Sequence, residues 1–267
     1  MTRVFSLLVI AAACAATASA GASSPSGKIV FSSAGGVGGT ERIWVMNANG
    51  SGRHAVSPAT SNEISPALSR DGTRIAFAKR GDIYVMSVTG ASVRRLTFSP
   101  FSTEGAPTWS PDGRWIAYSS YRAGRSSIWE MRPDGGGKTL LAPGRTLDVP
   151  SWSPDGTRIA YAGVGGQIWV MDADGSGKHR LTRTASGKGV DWAPSWSPDG
   201  RQLVFSGGKG GLTDRYIVDR DGRSLRRLTN DRNGDNQPQW SPDGRTIAFV
   251  SDRGPQSDFD NLRFSRW

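Results

Sequence analysis

Short apolar segments recur along the chain and predict many short β-strands. One kind reads Ile-Ala-Phe, Ile-Ala-Tyr or a close variant, and it lacks the polar–apolar alternation expected of a half-exposed strand. Its five copies begin at Ile75, Ile116, Ile159, Leu203 and Ile247. A second kind follows each copy and contains an aromatic residue, as in Ile168-Trp-Val-Met171. Strands that are apolar on both faces must be covered on both faces, so the pattern predicts an all-β fold of stacked sheets.

A turn motif, Trp-Ser-Pro-Asp-Gly, precedes these buried strands. Its proline presets φ, its aspartate suits the next turn position, and its glycine tolerates positive φ. Four complete copies begin at Trp109, Trp152, Trp196 and Trp240, and a weaker copy begins at Leu68. Their aspartates, interpreted as structural turn residues, are Asp71, Asp112, Asp155, Asp199 and Asp243, at intervals of 41, 43, 44 and 44 residues. A period in this range, with strands and turns in fixed order, predicts the blades of a β-propeller.

The number of apolar segments predicts six blades. Ile29-Val-Phe31 is a degraded copy of the buried strand and adds a sixth to the five clear ones. We therefore predict a six-bladed antiparallel β-propeller, one domain of residues 21–267, whose last blade degenerates after its second strand. The predicted repeats span about 24–57, 58–98, 99–142, 143–183, 184–230 and 231–267. Aromatic residues hold a fixed place in the third strand of each repeat, which indicates packing between blades rather than a carbohydrate platform.

The first twenty residues predict a signal peptide. Arg3 supplies the positive start, Val4 to about Ala16 the apolar stretch, and Ala18-Ser19-Ala20 a cleavage site, so the mature chain would begin near Gly21. This predicts a periplasmic or secreted location. A less favoured alternative makes Cys14 a lipoprotein acceptor. Because Cys14 is the only cysteine, a disulfide framework is excluded in either case.

The charge balance bears on partners. The net charge is +10, and removing Arg3 with the signal peptide lowers it to +9. An excess of positive charge favours contact with anionic envelope polymers. An alternative explanation is that the arginines are solvated turn residues, because several of them directly follow the turn motif. An exported location argues against nucleic acid as a partner. The predicted mature chain has no apolar run long enough for a transmembrane segment, and we expect a monomer.

The order of the motifs resembles a known family. With Trp-Ser-Pro-Asp-Gly, Ile-Ala-Tyr/Phe, Ile-Trp-Val-Met and Leu-Thr in sequence, residues 24–257 look like the TolB-type β-propeller, which is related to WD repeats without their Trp-Asp signature. TolB carries an α/β domain before its propeller and works in the bacterial envelope with a peptidoglycan-associated lipoprotein. Here the repeats follow the predicted signal peptide directly. The resemblance therefore implies an extracytoplasmic bacterial propeller that binds protein, and not a complete TolB role.

The sequence argues against an enzyme. Related repeats precede the catalytic domain of prolyl oligopeptidase-like enzymes, but the Gly-x-Ser-x-Gly elbow of that domain does not occur here. The two histidines, His54 and His179, fall in equivalent fourth strands and are too few for a three-histidine zinc site. The alternative that stays open is a hydrolase or lyase with a carboxylate-based site in the propeller funnel.

An acidic residue precedes the first strand of five repeats. These residues, which stand two or three places before a proline, are Glu63, Glu104, Asp148, Asp191 and Asp235. If the first strands line the channel, the carboxylates meet at one channel mouth. Three interpretations stay open: the acids fix the strand through backbone hydrogen bonds, they bind a basic peptide or protein tail, or they bind Ca²⁺. Calcium is the least favoured because acids from five blades are too widely spread to share one ion, so no cofactor is predicted.

Together these features predict a non-catalytic extracytoplasmic propeller. It would bind a protein or peptide through its channel mouth, and the five acids are the candidate contact residues.

Overall fold

Six sheets make up the protein. A computed structural model describes residues 11–13, 27–33, 40–48, 50–58, 62–144, 148–183, 189–209, 212–230, 233–252 and 262–266. The strands of these ranges form six antiparallel sheets, each built from strands that follow one another in sequence. The sheets are the six blades of a β-propeller, which confirms the predicted fold class. The same ranges contain no helix, and hence none that could span a membrane.

Within each blade the strands are ordered from the inside of the ring outwards. Blade 1 contains β1 (Ala11–Ala13), β2 (Lys28–Ser33), β3 (Arg42–Asn47) and β4 (His54–Ala55). Blade 2 contains β5 (Glu63–Leu68), β6 (Arg74–Lys79), β7 (Asp82–Ser87) and β8 (Arg94–Arg95). Blade 3 contains β9 (Thr103–Trp109), β10 (Ile116–Arg122), β11 (Arg125–Met131) and β12 (Thr139–Ala142).

The second half of the ring repeats this order. Blade 4 contains β13 (Asp148–Trp152), β14 (Arg158–Gly163), β15 (Gln167–Asp172) and β16 (His179–Arg180). Blade 5 contains β17 (Val190–Trp196), β18 (Gln202–Lys209), β19 (Leu212–Asp219) and β20 (Arg226–Arg227). Blade 6 contains β21 (Asp235–Trp240), β22 (Thr246–Ser251) and β23 (Leu262–Arg266), so three of its strands are described.

The ring closes by packing. The first strands of neighbouring blades contact one another in the order β5, β9, β13, β17 and β21, and β1 contacts both β5 and β21. At the junction of the last and first blades, Ala248 packs against Ile29 and Phe31. Each described sheet uses only consecutive strands, so the junction is made by side chains rather than by an exchanged strand.

Strand β1 lies within the segment predicted to be a signal peptide. It pairs with β2, with Ala11 opposite Val30 and Ala13 opposite Lys28, and so takes the innermost place in blade 1. Cys14 and the cleavage site at Ala20 lie outside the described residues. Cleavage and lipidation therefore stay predictions.

The second strand of each blade is buried on both faces. Ile116 and Ala117 are neighbours on β10 that point to opposite sides, and both are fully buried. Ile116 packs with Ile83 of blade 2, whereas Ala117 packs with Ile159 of blade 4. Complete burial of an isoleucine is worth roughly 1.5–3 kcal/mol, so this sandwiching of one blade between two others is the main stabilising feature of the repeat.

The turn motif forms one closed hydrogen-bond unit. In blade 4 the Ser153 hydroxyl donates to Asp155 Oδ1 at 2.6 Å, and the same oxygen accepts from the Thr157 amide at 3.0 Å. The Ser153 oxygen also accepts from the Arg158 amide at 2.9 Å. The serine hydrogen bond, with the backbone bond, holds the pKa of Asp155 below its usual value. Equivalent bonds occur at Asp71, Asp112, Asp199 and Asp243.

Chain direction gives the propeller two distinct faces. The Ser-x-Asp-Gly turns lie at one end of the blades, which we name the lower face. The starts of the first strands and the turns between second and third strands lie at the other end, the upper face. Backbone bonds on the upper face join neighbouring blades: the amide of Glu104 donates to the carbonyl of Gly81, and that of Asp191 to Gly166, each at 2.8 Å.

Each described first strand from blade 2 to blade 6 contains a residue in the left-handed region. These residues directly precede the proline and are Ser65, Ala106, Val149, Ala193 and Gln237, with φ between 47° and 53°. The pairing register shifts at the same place, so each strand carries a bulge. Left-handed backbone is unfavourable for residues with a Cβ atom, and most of all for a β-branched valine.

Val149 should therefore reverse the usual ranking of glycine and alanine. Both Val149→Gly and Val149→Ala remove the two γ-methyl groups, but only glycine also removes the Cβ atom that makes φ 49° unfavourable. We expect Val149→Gly to unfold at a higher urea concentration than Val149→Ala, by about 1 kcal/mol in free energy of unfolding. At Thr108, half-buried on β9 without positive φ, glycine should be the less stable substitution. The same ranking at both sites would contradict the strain argument.

Candidate functional site

The five predicted acids lie at the upper face, and most are buried. Their exposed fractions are 2% for Glu63, 4% for Glu104, 1% for Asp191 and 0% for Asp235, whereas Asp148 is exposed. Buried carboxylates need intramolecular partners to remain charged. The structure provides such partners for each of them.

The two glutamates are held by neighbouring side chains of their own blades. Lys79 Nζ lies 3.0 Å from Glu63 Oε1 across the β5–β6 pair. The Ser102 hydroxyl donates to Glu104 Oε1 at 2.5 Å, and Ser120 approaches the same oxygen at 3.4 Å. The second oxygen of each glutamate is buried without a hydrogen-bond partner among the described residues. Each of these two carboxylates therefore has one oxygen that is paired and one that has no hydrogen bond within the described residues.

The aspartates link blades to one another. Thr182 at the end of blade 4 donates to Asp191 of blade 5 at 2.6 Å, and Ser119 of blade 3 donates to Asp148 of blade 4 at 2.6 Å. Asp235 of blade 6 lies 3.9 Å from Arg215 Nε of blade 5. These contacts are made between side chains, so the interpretation in which the acids fix the strands through backbone hydrogen bonds stays a prediction.

The acids do not gather into one cluster. Across the residues that the structure describes, no three His, Cys, Asp or Glu side chains come close enough together to hold a metal ion. Of the five, Asp148 is the one whose side chain is open to solvent. Direct contact between the other four and a partner stays a prediction, and their burial places them behind the surface that a partner would meet.

The upper face carries a second set of residues that sequence reasoning missed. Five large apolar side chains there are more than half exposed: Phe98, Phe101, Tyr121, Val164 and Val190. We name them the upper apolar patch. They lie in the loop between blades 2 and 3, at the β10–β11 and β14–β15 turns, and at the start of β17. A signal was present in the sequence, because Thr97-Phe-Ser-Pro-Phe101 places two phenylalanines in a linker that is polar in other repeats.

Ionic contacts order this loop. The Arg95 guanidinium lies 4.5 Å from the centroid of the Phe98 ring. The same arginine pairs with Asp82 at 2.5 Å and donates to the carbonyl of Thr97 at 2.9 Å. Phe98 is thus held in place although the residue is 66% exposed. Fixed, exposed aromatic rings are typical of protein-binding surfaces.

The histidines play no part in either set. His54 and His179 are exposed on the outer strands β4 and β16. In each of them Nδ1 lies within 3 Å of the carbonyl oxygen of a nearby glycine. Their position at the rim of the ring agrees with the interpretation of both as surface residues.

Comparison with known proteins identifies the relatives of this fold. The sequence profile of the TolB beta propeller domain matches residues 9–187 and 149–261. A Tol-Pal system protein TolB of Anaeromyxobacter dehalogenans is 32% identical over 151 residues, covering 52% of this chain and 35% of that protein. The chain therefore spans about a third of the length of this relative.

Solved structures give the same result. A TolB-type protein of Agrobacterium tumefaciens superimposes with a TM-score of 0.69 at 27% identity, covering 80% of this chain and 83% of that one. An oligogalacturonate lyase in complex with manganese superimposes with a TM-score of 0.64, covering 90% of this chain and 73% of that one. Its identity is 15%, so this second likeness concerns the fold alone.

Proposed function

Because the chain belongs to the TolB β-propeller family, we propose that it is an exported, non-catalytic propeller that binds a protein partner through its upper face. The observation that carries this proposal is the upper apolar patch. When a partner covers exposed apolar side chains, their removal from water contributes about 25 cal/mol of favourable free energy for each Å² buried. The family relationship supplies the class of function, and the patch supplies the surface.

The buried acids support this role indirectly. They tie the start of each first strand to the neighbouring side chains and blades, so the loops between blades are presented in one arrangement. A preorganised surface loses little conformational freedom on binding, which favours affinity. Asp148, exposed on the same face, and its neighbours give a basic partner tail a place to pair at the edge of the patch.

Export is part of the proposal. The predicted signal peptide and the name of the Tol-Pal relative both favour an envelope location, where the partner would be a protein of the Tol-Pal kind. Mass spectrometry of the chain purified from its own cells should show a first residue near Gly21. A lipidated Cys14 would place the protein on a membrane instead of free in the periplasm.

The patch makes a testable prediction about the partner. A photo-crosslinking amino acid at Phe101 should capture a protein in living cells, whereas the same group at Val93 or Leu225, exposed on the outer rim, should not. The purified partner should bind the Phe98→Ser/Phe101→Ser variant at least about tenfold more weakly than the unchanged protein, because aromatic anchors carry much of an interface's energy.

Stability serves as the control. Both phenylalanines are exposed, so the double variant should melt within a few degrees of the unchanged protein. Equal crosslinking from Phe101 and from the rim positions would contradict binding through the upper face.

The carboxylate-enzyme alternative is less well supported. A hydrolase or lyase of that type needs two carboxyl groups open to the substrate. Four of the five candidate acids are buried and engaged with the protein's own groups.

A further inference from the structure

Three positions break the repeat pattern in a shared way. Where the turns of blades 3 to 6 have proline, blade 2 has Arg70. Where blade 2 has Arg74 and blade 4 has Arg158, blade 3 has Trp115. Where the third strands of blades 1, 2, 4 and 5 have a buried valine or isoleucine, blade 3 has Glu130. A sequence that departs from its own rule at the same place in space calls for an explanation beyond folding.

All three residues line one cavity on the lower face. It has a volume of about 570 Å³ and lies between the turns of blades 2, 3 and 4. Arg70 reaches across it, since its Nη1 donates to the carbonyl of Pro154 at 3.2 Å. Not every departure from the repeat lies here, since Arg215, which takes the place of an isoleucine, pairs with Asp235 of blade 6.

The neighbouring junction, between blades 2 and 3, has a different arrangement at the equivalent positions. In blade 2 the Arg74 guanidinium lies 4.5 Å from the centroid of the Trp109 ring of blade 3. Trp152 is the equivalent of Trp109 one blade further on, and Trp115 stands in the place of Arg74. At the junction of blades 2 and 3 the arginine Arg74 faces an indole. At the next junction a second indole, Trp115, takes the place of that arginine. Trp115 and Trp152 both line the cavity.

Trp152 differs from Trp109 and Trp196 in its hydrogen bonding. The indole nitrogens of Trp109 and Trp196 donate to backbone carbonyls of the preceding blade, Ala67 and Ser151, at 3.1 and 3.2 Å. Trp152 Nε1 is buried and has no hydrogen-bond partner among the described residues, and the residue as a whole is 9% exposed. A buried donor without a partner needs a specific explanation, and a bound acceptor group is one.

The charge of the cavity is opposite to that of the protein. Its lining includes the carboxyl groups of Asp112, Glu130, Asp155 and Asp174, against the single guanidinium of Arg70. The chain as a whole carries +10. Burial raises the pKa of Glu130 above its usual value, and a cation placed beside it would favour the charged form.

We propose that this lower-face cavity binds the cationic side chain of a lysine or arginine from a peptide. Two indoles would face the cation and its apolar stem, and the carboxylates would pair with its charge. A backbone carbonyl of the same peptide, and not the cation, would accept a hydrogen bond from Trp152 Nε1. The volume falls in the range of small-ligand sites and accommodates a short basic segment rather than a single ion. The site lies on the opposite face from the upper apolar patch, so the result of its test is independent of the test of the proposed function.

The repeat itself supplies the test variants. Glu130→Val and Trp115→Arg install the residues that other blades use at these positions, so both should fold. Glu130→Val should melt at the same or a higher temperature at pH 7, since a carboxyl with a raised pKa is least favourable to the folded state when ionised. The probe is the peptide acetyl-Lys-Lys-Lys-amide, titrated calorimetrically into the purified full chain. Its matched control is the same peptide with every lysine acetylated.

We expect the lysine peptide to bind and the acetylated peptide not to bind. Glu130→Val and Trp115→Arg should each weaken binding at least about tenfold, the latter because its arginine competes for the site. Asp243→Asn, in the equivalent turn of blade 6, should leave binding unchanged. If Glu130→Val fails to fold, Glu130→Gln replaces it as the isosteric variant. Equal binding of both peptides, or unchanged affinity in the cavity variants, would overturn the proposal.

Discussion

Replacing Arg215 with methionine is expected to destabilise the propeller by about 3–5 kcal/mol, the range measured when one partner of a buried ion pair is removed. Arg215 is 5% exposed and Asp235 is fully buried beside it, with Nε and Oδ2 3.9 Å apart. The same guanidinium lies 3.6 Å from the Phe249 ring centroid and donates to Ser265 at 2.8 Å. Methionine fills much of the volume but leaves the Asp235 carboxylate without this cation.

Urea denaturation of matched variants checks this expectation. The double variant Arg215→Met/Asp235→Asn should recover part of the loss, because a neutral amide does not need a counter-charge. Arg223→Met removes an exposed partner of Asp221 and should change stability by less than about 0.5 kcal/mol. A loss at Arg215 as small as that at Arg223 would show that the buried pair contributes little.

Replacing Trp109 with alanine should cost a similar amount, about 3–5 kcal/mol. The indole is 6% exposed and packs with Ile116 and Met131 between blades 2 and 3. Its Nε1 also donates to the carbonyl of Ala67 at 3.1 Å. Truncation therefore opens a cavity at a blade junction and leaves a buried carbonyl without its donor.

Phenylalanine at the same position separates these two losses. Trp109→Phe keeps most of the ring volume and removes the N–H, so it should cost roughly 1–2 kcal/mol. Thermal and urea unfolding of both variants would measure the difference. If alanine and phenylalanine were equally destabilising, the hydrogen bond and not the packing would dominate this junction.

The fold follows from the sequence because its repeat is local. The spacing of the Ser-x-Asp-Gly turns and the unalternating segments such as Ile116-Ala-Tyr118 predict blades, and burial on both faces follows from that pattern. The place of the five acids at the starts of the first strands also follows from spacing. Each of these features depends on residues within one repeat of about 40–45 positions.

The candidate sites depend on contacts between repeats, and these are harder to read. Spacing indicates that Glu104 and Asp191 begin a strand, but not that the turns at Gly81 and Gly166 of the preceding blades cover them. The cavity residue Glu130 shows the same limit. Its exceptional place in the repeat is visible in the sequence, whereas its meeting with Arg70, some sixty positions earlier, depends on the stacking of three blades.

The closure of the ring bears on how the chain folds. Every described sheet is made of consecutive antiparallel strands, so the pairing partners of each strand lie close by in sequence. A blade can therefore complete its hydrogen bonds as soon as its own residues have left the ribosome, and its neighbours can dock in order. Among the described residues, the two ends of the chain meet through the packing of Ala248 against Ile29 and Phe31 and through contact between β1 and β21. We therefore expect this junction to form late in assembly, and the described sheets complete it without exchanging a strand.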